Sequence, residues 1–239
     1  GSEAYSYDEF GNRLKAVIDN DTTEIYSYNG RNELTEVNRT SAVTDKTQKS
    51  AFSYDMRGNM IDETLTTGGQ TLVATSYVYD PLDRLAGVIR AQGPPFNYGY
   101  DAFGRRVSRG VGNDLTRFVL DGSNVIAEVR HDPDVNNPEN FTNVVKREYL
   151  HGQAIDEVAA FVDHTSQQFS SSSPKAAAFA YHQDAINSVR RVTAVATATN
   201  VAEYAYAAFG KIRKQTGSTT EETARTFTGR EQETADLYY

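Results

Sequence analysis

One short motif recurs nine times along the chain, and some of its copies are degenerate. In the full form two aromatic residues flank a single residue and a turn signal follows, as in Tyr98-Gly99-Tyr100-Asp101-Ala102-Phe103-Gly104. The second aromatic is Tyr7, Tyr28, Tyr54, Tyr79 and Tyr100 in the first five copies, at intervals of 21, 26, 25 and 21 residues. Such an interval holds one β-hairpin with its return connection, at roughly 5 to 6 residues per strand. The repetition predicts an extended array of hairpins, which is more typical of a scaffold than of a catalyst.

The motif itself predicts a bulged hairpin. Tyr-x-Tyr places both rings on one face of a strand, and Asp-x-x-Gly is typical of a type I turn that ends with Gly in the left-handed conformation. In Asp80-Pro81-Leu82-Asp83, Pro occupies the position that its fixed φ favours, and Asp83 replaces Gly. We expect structural roles in the repeat for Tyr5, Tyr7, Asp8, Gly11, Tyr26, Tyr28, Tyr54, Asp55, Gly58, Tyr77, Tyr79, Asp80, Tyr98, Tyr100, Asp101, Gly104, Tyr204, Tyr206 and Gly210.

These copies resemble the YD repeats of bacterial Rhs and YD-repeat proteins, of the C component of insecticidal toxin complexes and of animal teneurins. The resemblance covers residues 5–239, and it is most specific over residues 179–239, which resemble the closing region of an Rhs core. There the family's His-Leu-Gly is replaced by Ala185-Ile186-Asn187, so a glycine turn is missing. The Asp of the last motif is replaced by Ala207.

The resemblance implies an all-β fold in which consecutive antiparallel hairpins form a continuous, curved and spiralling sheet, as part of a β-shell. We expect residues 1–2 to be a cloning scar and residues 3–239 to form the repeat array. Within the array we expect regular repeats at 3–128, degenerate repeats with long loops at 129–178 and the closing region at 179–239. In the family, a self-cleaving segment and a variable toxin follow that region, so we expect both to belong to the parent protein beyond residue 239.

Three segments depart from the regular pattern. Residues 129–146 are rich in Asp, Asn and Pro, which predicts a solvated loop between strands. Residues 166–178 contain four consecutive serines, which predicts a second, flexible loop. Residues 192–208 are rich in alanine, but the Tyr204-x-Tyr206 alternation predicts strand, turn and strand, with the turn near Thr199-Asn200.

Few residues are candidates for chemistry. Asp132, Asp134 and Asn136 open like a calcium loop, but Asn137 and Asn143 stand where such a loop has Gly and Glu, so a polar turn is the favoured interpretation. The histidines lack the close spacing of metal ligands: His131, His151, His164 and His182. An Asp repeated once per hairpin indicates a turn role. We therefore expect no enzyme activity, no cofactor and no metal.

Composition limits the partners. A net charge of −8 without a basic run argues against nucleic acid, and no apolar run approaches the roughly 20 residues of a membrane helix. The absence of cysteine is typical of an exported bacterial protein, so we expect a secreted or cell-surface location. The favoured function is a shell segment that encloses or displays a C-terminal toxin or effector. The alternative is a cell-surface module that binds a glycan or a protein. A hydrolase is least favoured, and open sheet edges predict self-association.

Overall fold

The computed structural model describes residues 2–134, 137–153, 157–164, 177–208, 210–217, 225–230, 232–234 and 237–238. The strands are β1 (Glu3–Tyr7), β2 (Arg13–Ile18), β3 (Thr22–Tyr28), β4 (Leu34–Ser41), β5 (Lys46–Tyr54), β6 (Met60–Thr67), β7 (Gln70–Tyr79), β8 (Leu85–Arg90), β9 (Phe96–Tyr100), β10 (Arg106–Val111), β11 (Asp114–Asp121), β12 (Asn124–Asp134), β13 (Asn137–His151), β14 (Val158–Asp163), β15 (Ala177–Gln183), β16 (Val189–Ala194), β17 (Thr199–Tyr206), β18 (Ile212–Gly217), β19 (Gln232–Thr234) and β20 (Leu237–Tyr238). A single 3₁₀ turn, η1 (Phe227–Gly229), follows β18 within the described ranges.

The predicted all-β fold of consecutive antiparallel hairpins is confirmed. Strands β1 to β18 belong to one open sheet, while β19 and β20 form a separate small hairpin. Each strand from β1 to β9 pairs antiparallel with the next one, and the same holds from β11 to β18. In the ranges that the structure describes, no helix has the length and hydropathy of a membrane span.

The chain divides into two compact units. The first contains residues 1–104 and 109–113, and the second contains residues 105–108 and 114–239. In the first unit the buried apolar side chains are Ala16, Val88, Phe96 and Tyr98. Much of the remaining sheet surface there is polar and only half buried. Main-chain hydrogen bonds and polar side chains therefore stabilise the hairpins, in addition to the burial of apolar side chains.

The second unit has a larger aromatic core. Phe161 of β14 lies at its centre, with ring centroids 4.9 Å from Phe179 and 5.1 Å from Tyr181. Val158, Val189 and other residues of β13 to β17 pack in the same cluster. Because each aromatic ring can bury about 150–250 Å², this stack supplies a large part of the unit's apolar burial.

A one-residue register shift marks nearly every motif. It falls at the second aromatic position, for example between Ser53 and Tyr54 in the β5–β6 pair and between Val78 and Tyr79 in the β7–β8 pair. The turn that follows then ends in the left-handed region, at φ of 89° for Gly58 and 59° for Asp83. This is the bulged hairpin that Asp-x-x-Gly predicts.

The closing region keeps its turns without the family's residues. Asn187 takes the place of the missing glycine at φ 60°, because Asn tolerates the left-handed region better than most residues. Ala207 replaces the last Asp, yet its main-chain N–H and carbonyl still bond to Lys211 and Gly210. The sequence pattern predicts the eighth motif copy at Phe179-Ala180-Tyr181-His182. The structure places it two residues later, because the register shift lies between His182 and Gln183 and the turn begins at Asp184.

The prediction of a loop at residues 129–146 is wrong. Strands β12 and β13 continue through this segment, with Val129 opposite Val145 and Asp132 opposite Thr142. The β-branched residues on both sides favour pairing, and the Asp, Asn and Pro residues extend into that hairpin instead of forming a long loop.

The predicted strand, turn and strand over residues 192–208 are confirmed. The turn occupies residues 195–198, where Ala198 adopts φ 54°, and not Thr199-Asn200, which begin β17. Of the predicted serine-rich loop, residues 166–176 lie outside the described residues, and the last two residues begin β15. The boundaries expected at 128/129 and 178/179 stay predictions.

Candidate functional site

The recurring aspartates receive hydrogen bonds from their own turns. The Asp55 carboxylate accepts the main-chain N–H groups of Arg57 and Asn59 at 2.8 and 2.9 Å, and Asn59 Nδ2 at 3.0 Å. The bonds from Asn59, with a smaller contribution from Arg57, lower the pKa of the Asp55 carboxyl despite partial desolvation. Asp80 is similar, because the Arg84 side chain lowers its pKa first of all. These contacts place the carboxylates in local turn geometry.

The second tyrosine of the motif forms a bond that the sequence does not reveal. Its hydroxyl donates to the main-chain carbonyl that opens the return strand of the preceding hairpin. We call this contact the tyrosine lock, and it occurs from Tyr28 to Arg13 at 3.0 Å, Tyr54 to Leu34 at 2.8 Å, Tyr79 to Met60 at 3.0 Å, Tyr100 to Leu85 at 2.8 Å and Tyr206 to Val189 at 2.7 Å. Each lock joins one repeat to the repeat before it, beyond the ladder of main-chain bonds.

A histidine replaces the tyrosine of the lock in the seventh motif copy, the degenerate sequence Glu148-Tyr149-Leu150-His151-Gly152. His151 Nε2 lies 2.7 Å from the carbonyl oxygen of Val125, near the start of β12. A carbonyl oxygen only accepts, so Nε2 carries the proton and donates it, as the tyrosine hydroxyl does elsewhere. His151 therefore makes a structural contact between repeats.

Arginines at the start of return strands lie over tyrosine rings. The Arg84 guanidinium carbon is 4.7 Å from the centroid of the Tyr100 ring, and the Arg13 guanidinium carbon is 4.9 and 5.3 Å from the centroids of Tyr5 and Tyr26. Such contacts contribute about 0.5–1 kcal/mol each at exposed sites. They hold neighbouring hairpins together on the tyrosine-bearing face.

A buried acid lies beside these rings in the first unit. Glu24 accepts from the Tyr26 hydroxyl and forms an ion pair with Arg39. Burial, followed by the bond to Glu24, raises the pKa of Tyr26 to about 12. The Glu24 charge is thus compensated by a cation and a hydroxyl donor, as a buried carboxylate requires.

The second unit contains a row of three buried charges. Glu128, Arg147 and Asp163 lie directly opposite one another on β12, β13 and β14, and they are 2%, 5% and 6% exposed. Arg147 Nε is 3.2 Å from Asp163 Oδ2, and the Tyr149 hydroxyl donates to Glu128 Oε1 at 2.5 Å. We call this set the charge row. No motif identified it in the sequence, since its successive members lie 19 and 16 residues apart.

The charge row is buried among aromatic residues. Desolvation opposes the charge of Arg147, but Tyr149, Glu128 and Asp163 together raise its pKa, and burial raises the pKa of Tyr149 well above its ordinary value. The second carboxylate oxygen of Glu128 is buried 4.0 Å from Lys146 Nζ. Buried ion pairs contribute little net stability but fix register, because a shift of one residue would leave charges unpaired.

The weak calcium candidates Asp132, Asp134 and Asn136 stay an untested hypothesis. Asp132 and Asp134 lie in β12, and Asn136 lies outside the described residues. Where side chains are described, no group of three or more His, Asp or Glu residues is arranged to hold a metal ion. Of the histidines, His164 contacts Glu148 and His182 contacts Thr193, while His131 lies in β12.

Residues 226–228, near the end of the closing region, pack onto the last repeats. The carbonyl of Thr226 accepts the N–H of Val189, and the N–H of Thr228 donates to the Ser188 hydroxyl at 3.0 Å. The centroid of the Phe227 ring lies 5.5 Å from the centroid of the Tyr206 ring, and the Phe227 ring packs directly against Gly210. This segment thereby covers the end of β16 where Tyr206 locks to Val189.

Two curated proteins are similar to most of the chain at low identity. The chain is 27% identical over 219 residues to the tRNA3(Ser)-specific nuclease WapA of Bacillus spizizenii and 28% identical over 179 residues to the tRNA nuclease WapA of Bacillus subtilis. These matches cover 90% and 68% of this chain but only 8% and 7% of the relatives. No family model matches the chain.

Solved structures of toxin complexes are similar over nearly the whole chain. The crystal structure of TcdB2-TccC3-TEV matches with a TM-score of 0.49, and the pore of the Photorhabdus luminescens Tc holotoxin matches with a TM-score of 0.48, both at 13% identity. Each match covers 99% of this chain and 15% or 14% of the other. The chain therefore corresponds to a small part of every relative reported.

Proposed function

We propose that this chain is a nonenzymatic wall segment of a YD-repeat shell in an Rhs-type toxin system, where it encloses or displays a C-terminal toxin or effector. The observation that carries the proposal is the tyrosine lock. It recurs at Tyr28, Tyr54, Tyr79, Tyr100 and Tyr206, and at each of them it joins one hairpin to the hairpin before it, in addition to the main-chain pairing of the sheet. A wall that separates an interior from solvent needs this kind of continuity, whereas a reaction centre needs converging groups at one place.

The tyrosine-bearing face supports a containing role. It combines tyrosine rings with charges that are compensated within the sheet, such as Glu24 with Arg39 and Arg13 with its two tyrosine rings. A face of this kind offers polar and aromatic contacts without a large apolar patch. An unfolded cargo held against it would be released more easily than from an apolar surface.

The names of the curated relatives assign a nuclease activity to whole proteins, of which this chain matches less than a tenth. We propose that such activity, where the parent of this chain has one, belongs to another segment. A bacterial, secreted or cell-surface location is part of the same proposal.

Protease protection tests the containing role. In the parent protein, the segment that follows residue 239 should resist digestion for at least ten times longer than the same segment expressed alone. The double substitution Tyr54→Phe and Tyr79→Phe, which removes two locks, should shorten that protection. Equal digestion rates for the enclosed and the isolated segment would contradict enclosure. Reproducible micromolar binding on a glycan array would favour the surface-binding alternative.

Self-association through open sheet edges stays a prediction of the repeat architecture. Light scattering of the purified chain should show oligomers whose mass rises with concentration. A strict monomer at high concentration would contradict this prediction.

A further inference from the structure

Two main-chain bonds of Val189, the first residue of β16, lie outside the strand ladder. Its N–H donates to the carbonyl oxygen of Thr226 at 2.9 Å, and its own carbonyl accepts the Tyr206 lock. The hydroxyl of Ser188, the residue before it, accepts the N–H of Thr228 at 3.0 Å. Ser188, Val189 and Thr226 are fully buried. The chain near Thr226 therefore occupies a place on the second unit that supplies it with hydrogen-bond partners.

The side chains of Arg225 and Phe227 contact two further parts of the second unit. The Arg225 guanidinium carbon lies 5.4 Å from the centroid of the Tyr149 ring in β13. The Phe227 ring packs on Tyr206, the last residue of β17, and against Gly210 in the turn that follows. Four successive residues thus contact three separate places. We call the residues that receive them the closing groove: Tyr149, Ser188, Val189, Tyr206 and Gly210.

Gly210 differs from the other motif glycines in being covered by an aromatic ring. A Cβ at Gly210 would lie 2.6 Å from Cδ1 of Phe227, whereas no atom of the described residues lies within 4 Å of a Cβ built at Gly11 or Gly104. All three glycines have φ between 81° and 89°. Ala207 stands where the clearest motif copies have aspartate, so this turn has no carboxylate that the ring would desolvate. The turn is therefore suited to an aromatic side chain.

Residues 225–230 hold their conformation through bonds of their own. The N–H of Thr226 donates to the Arg230 carbonyl at 3.0 Å, and the N–H of Arg230 donates to the Phe227 carbonyl at 3.1 Å. The Thr228 hydroxyl donates to the same carbonyl at 2.8 Å. The segment lies between β18 and β19 and belongs to neither strand. Such internal order lowers the entropy cost of binding, as in a preorganised peptide ligand.

We propose that the closing groove is a peptide-recognition site for the sequence Arg-x-Phe. In this structure residues 225–230 occupy it, and it also binds the same sequence on a separate peptide. The arginine meets Tyr149, the phenylalanine meets Tyr206 and Gly210, and the main chain bonds to Ser188 and Val189. Main-chain bonds that give affinity, combined with side-chain contacts that give specificity, are the general basis of peptide recognition. The inference concerns the second unit and does not depend on the wall function.

A variant of the complete chain tests the proposal. Arg225→Ala combined with Phe227→Ala removes both side-chain contacts of the chain's own segment, and circular dichroism checks that the variant is folded. Fluorescence anisotropy then follows a labelled synthetic peptide of residues 223–232. The peptide should bind this variant with a micromolar Kd. It should bind the unchanged chain at least ten times more weakly, because the groove is already filled there.

Substitutions in the peptide separate recognition from nonspecific adhesion, and they leave the chain itself unaltered. Replacing the arginine or the phenylalanine of the peptide by alanine should weaken binding at least tenfold in each case. Within the folded double variant, Gly210→Ala should abolish binding, and the control Gly11→Ala should leave it unchanged. Absence of saturable binding to the folded double variant would overturn the proposal, and so would equal affinity for the substituted peptides.

Hydrogen exchange of the unchanged chain provides a second test that needs no substitution. When residues 225–230 leave the groove, the main-chain N–H groups of Val189 and Thr228 lose their acceptors together. If the sheet stays intact, both should show the same protection, at least ten times lower than that of the Val192 N–H within β16. Equal protection at all three would mean that the segment leaves only when the unit unfolds, which would contradict its behaviour as a bound peptide.

Discussion

The hydroxyl of Tyr54 donates a 2.8 Å hydrogen bond to the main-chain carbonyl of Leu34, twenty residues earlier in the chain. Tyr54 closes one strand of its hairpin, and Leu34 opens the return strand of the hairpin before. The bond converts a sequence repeat into a mechanical connection. Because it recurs at four further tyrosines, we expect the stability of these five repeats to depend on the repeat before them.

Removing one lock should weaken the array measurably. Tyr54→Phe keeps the ring but leaves the Leu34 carbonyl without its hydroxyl donor, so the free energy of unfolding should fall by about 1 kcal/mol. Urea denaturation measures the change. Tyr7→Phe is the control, because the Tyr7 side chain is half exposed, and it should change stability by less than about 0.5 kcal/mol. Equal effects of the two substitutions would contradict a special role for the lock.

Gly210 should be intolerant of any side chain for two reasons. Its φ is +89°, and a Cβ there would lie 2.6 Å from Cδ1 of Phe227. Gly11→Ala provides the matched control, since φ is +84° and no atom lies within 4 Å, so that it pays only backbone strain of about 1–2 kcal/mol. Gly210→Ala should lower the melting temperature more than Gly11→Ala. When Phe227→Ala is added to both variants, the difference between their melting temperatures should become smaller. An unchanged difference would refute the contact between residue 210 and Phe227.

Breaking the charge row should be costly. Arg147→Met removes the cation that lies between two buried carboxylates and leaves Glu128 with Lys146 at 4.0 Å, which is expected to destabilise the chain by about 3–5 kcal/mol. Arg191→Met is the control, because Arg191 and Glu203 form an exposed ion pair worth less than about 1 kcal/mol. Chemical denaturation compares the two variants. Similar losses in both would mean that the charge row behaves as an ordinary surface pair.

The raised pKa of Tyr26 predicts that the folded chain loses stability in alkaline solution. Its pKa is raised from 10.0 to about 12 in the folded chain, so the folded state favours the protonated hydroxyl. The stabilisation is complete below pH 10 and is lost as the pH rises from 10 to 12. Denaturation midpoints measured across this window should fall less steeply for Tyr26→Phe than for the unchanged chain. Identical slopes would show that Tyr26 does not contribute.

The sequence predicted the hairpins because their signals are local. The Tyr-x-Tyr alternation and the Asp-x-x-Gly turn each lie within one motif, and even Asp83 could be assigned to the left-handed position from its neighbours. The tyrosine lock could not be predicted, since the pairing of Tyr54 with Leu34 depends on the register between separate hairpins. The one signal in the sequence was the tyrosine hydroxyl that recurs at the second aromatic position of the motif.

Composition misled the prediction where pairing decided the structure. The Asp, Asn and Pro residues of segment 129–146 indicated a loop, but cross-strand pairs such as Val129 with Val145 extend the strands. The charge row escaped prediction for a related reason. Glu128, Arg147 and Asp163 become neighbours only when β12, β13 and β14 pair in register, and none of them belongs to a recognisable motif.

The central claim, that this chain is a wall and not a reaction centre, is tested most directly by incubating the purified chain with a total tRNA pool. A full-length nuclease of the WapA kind serves as the positive control, and gel analysis follows the cleavage. The account predicts intact tRNA at chain concentrations a thousandfold above those at which the control cleaves. Cleavage by the purified chain that disappears with Glu128→Gln, in a variant shown to remain folded, would contradict it.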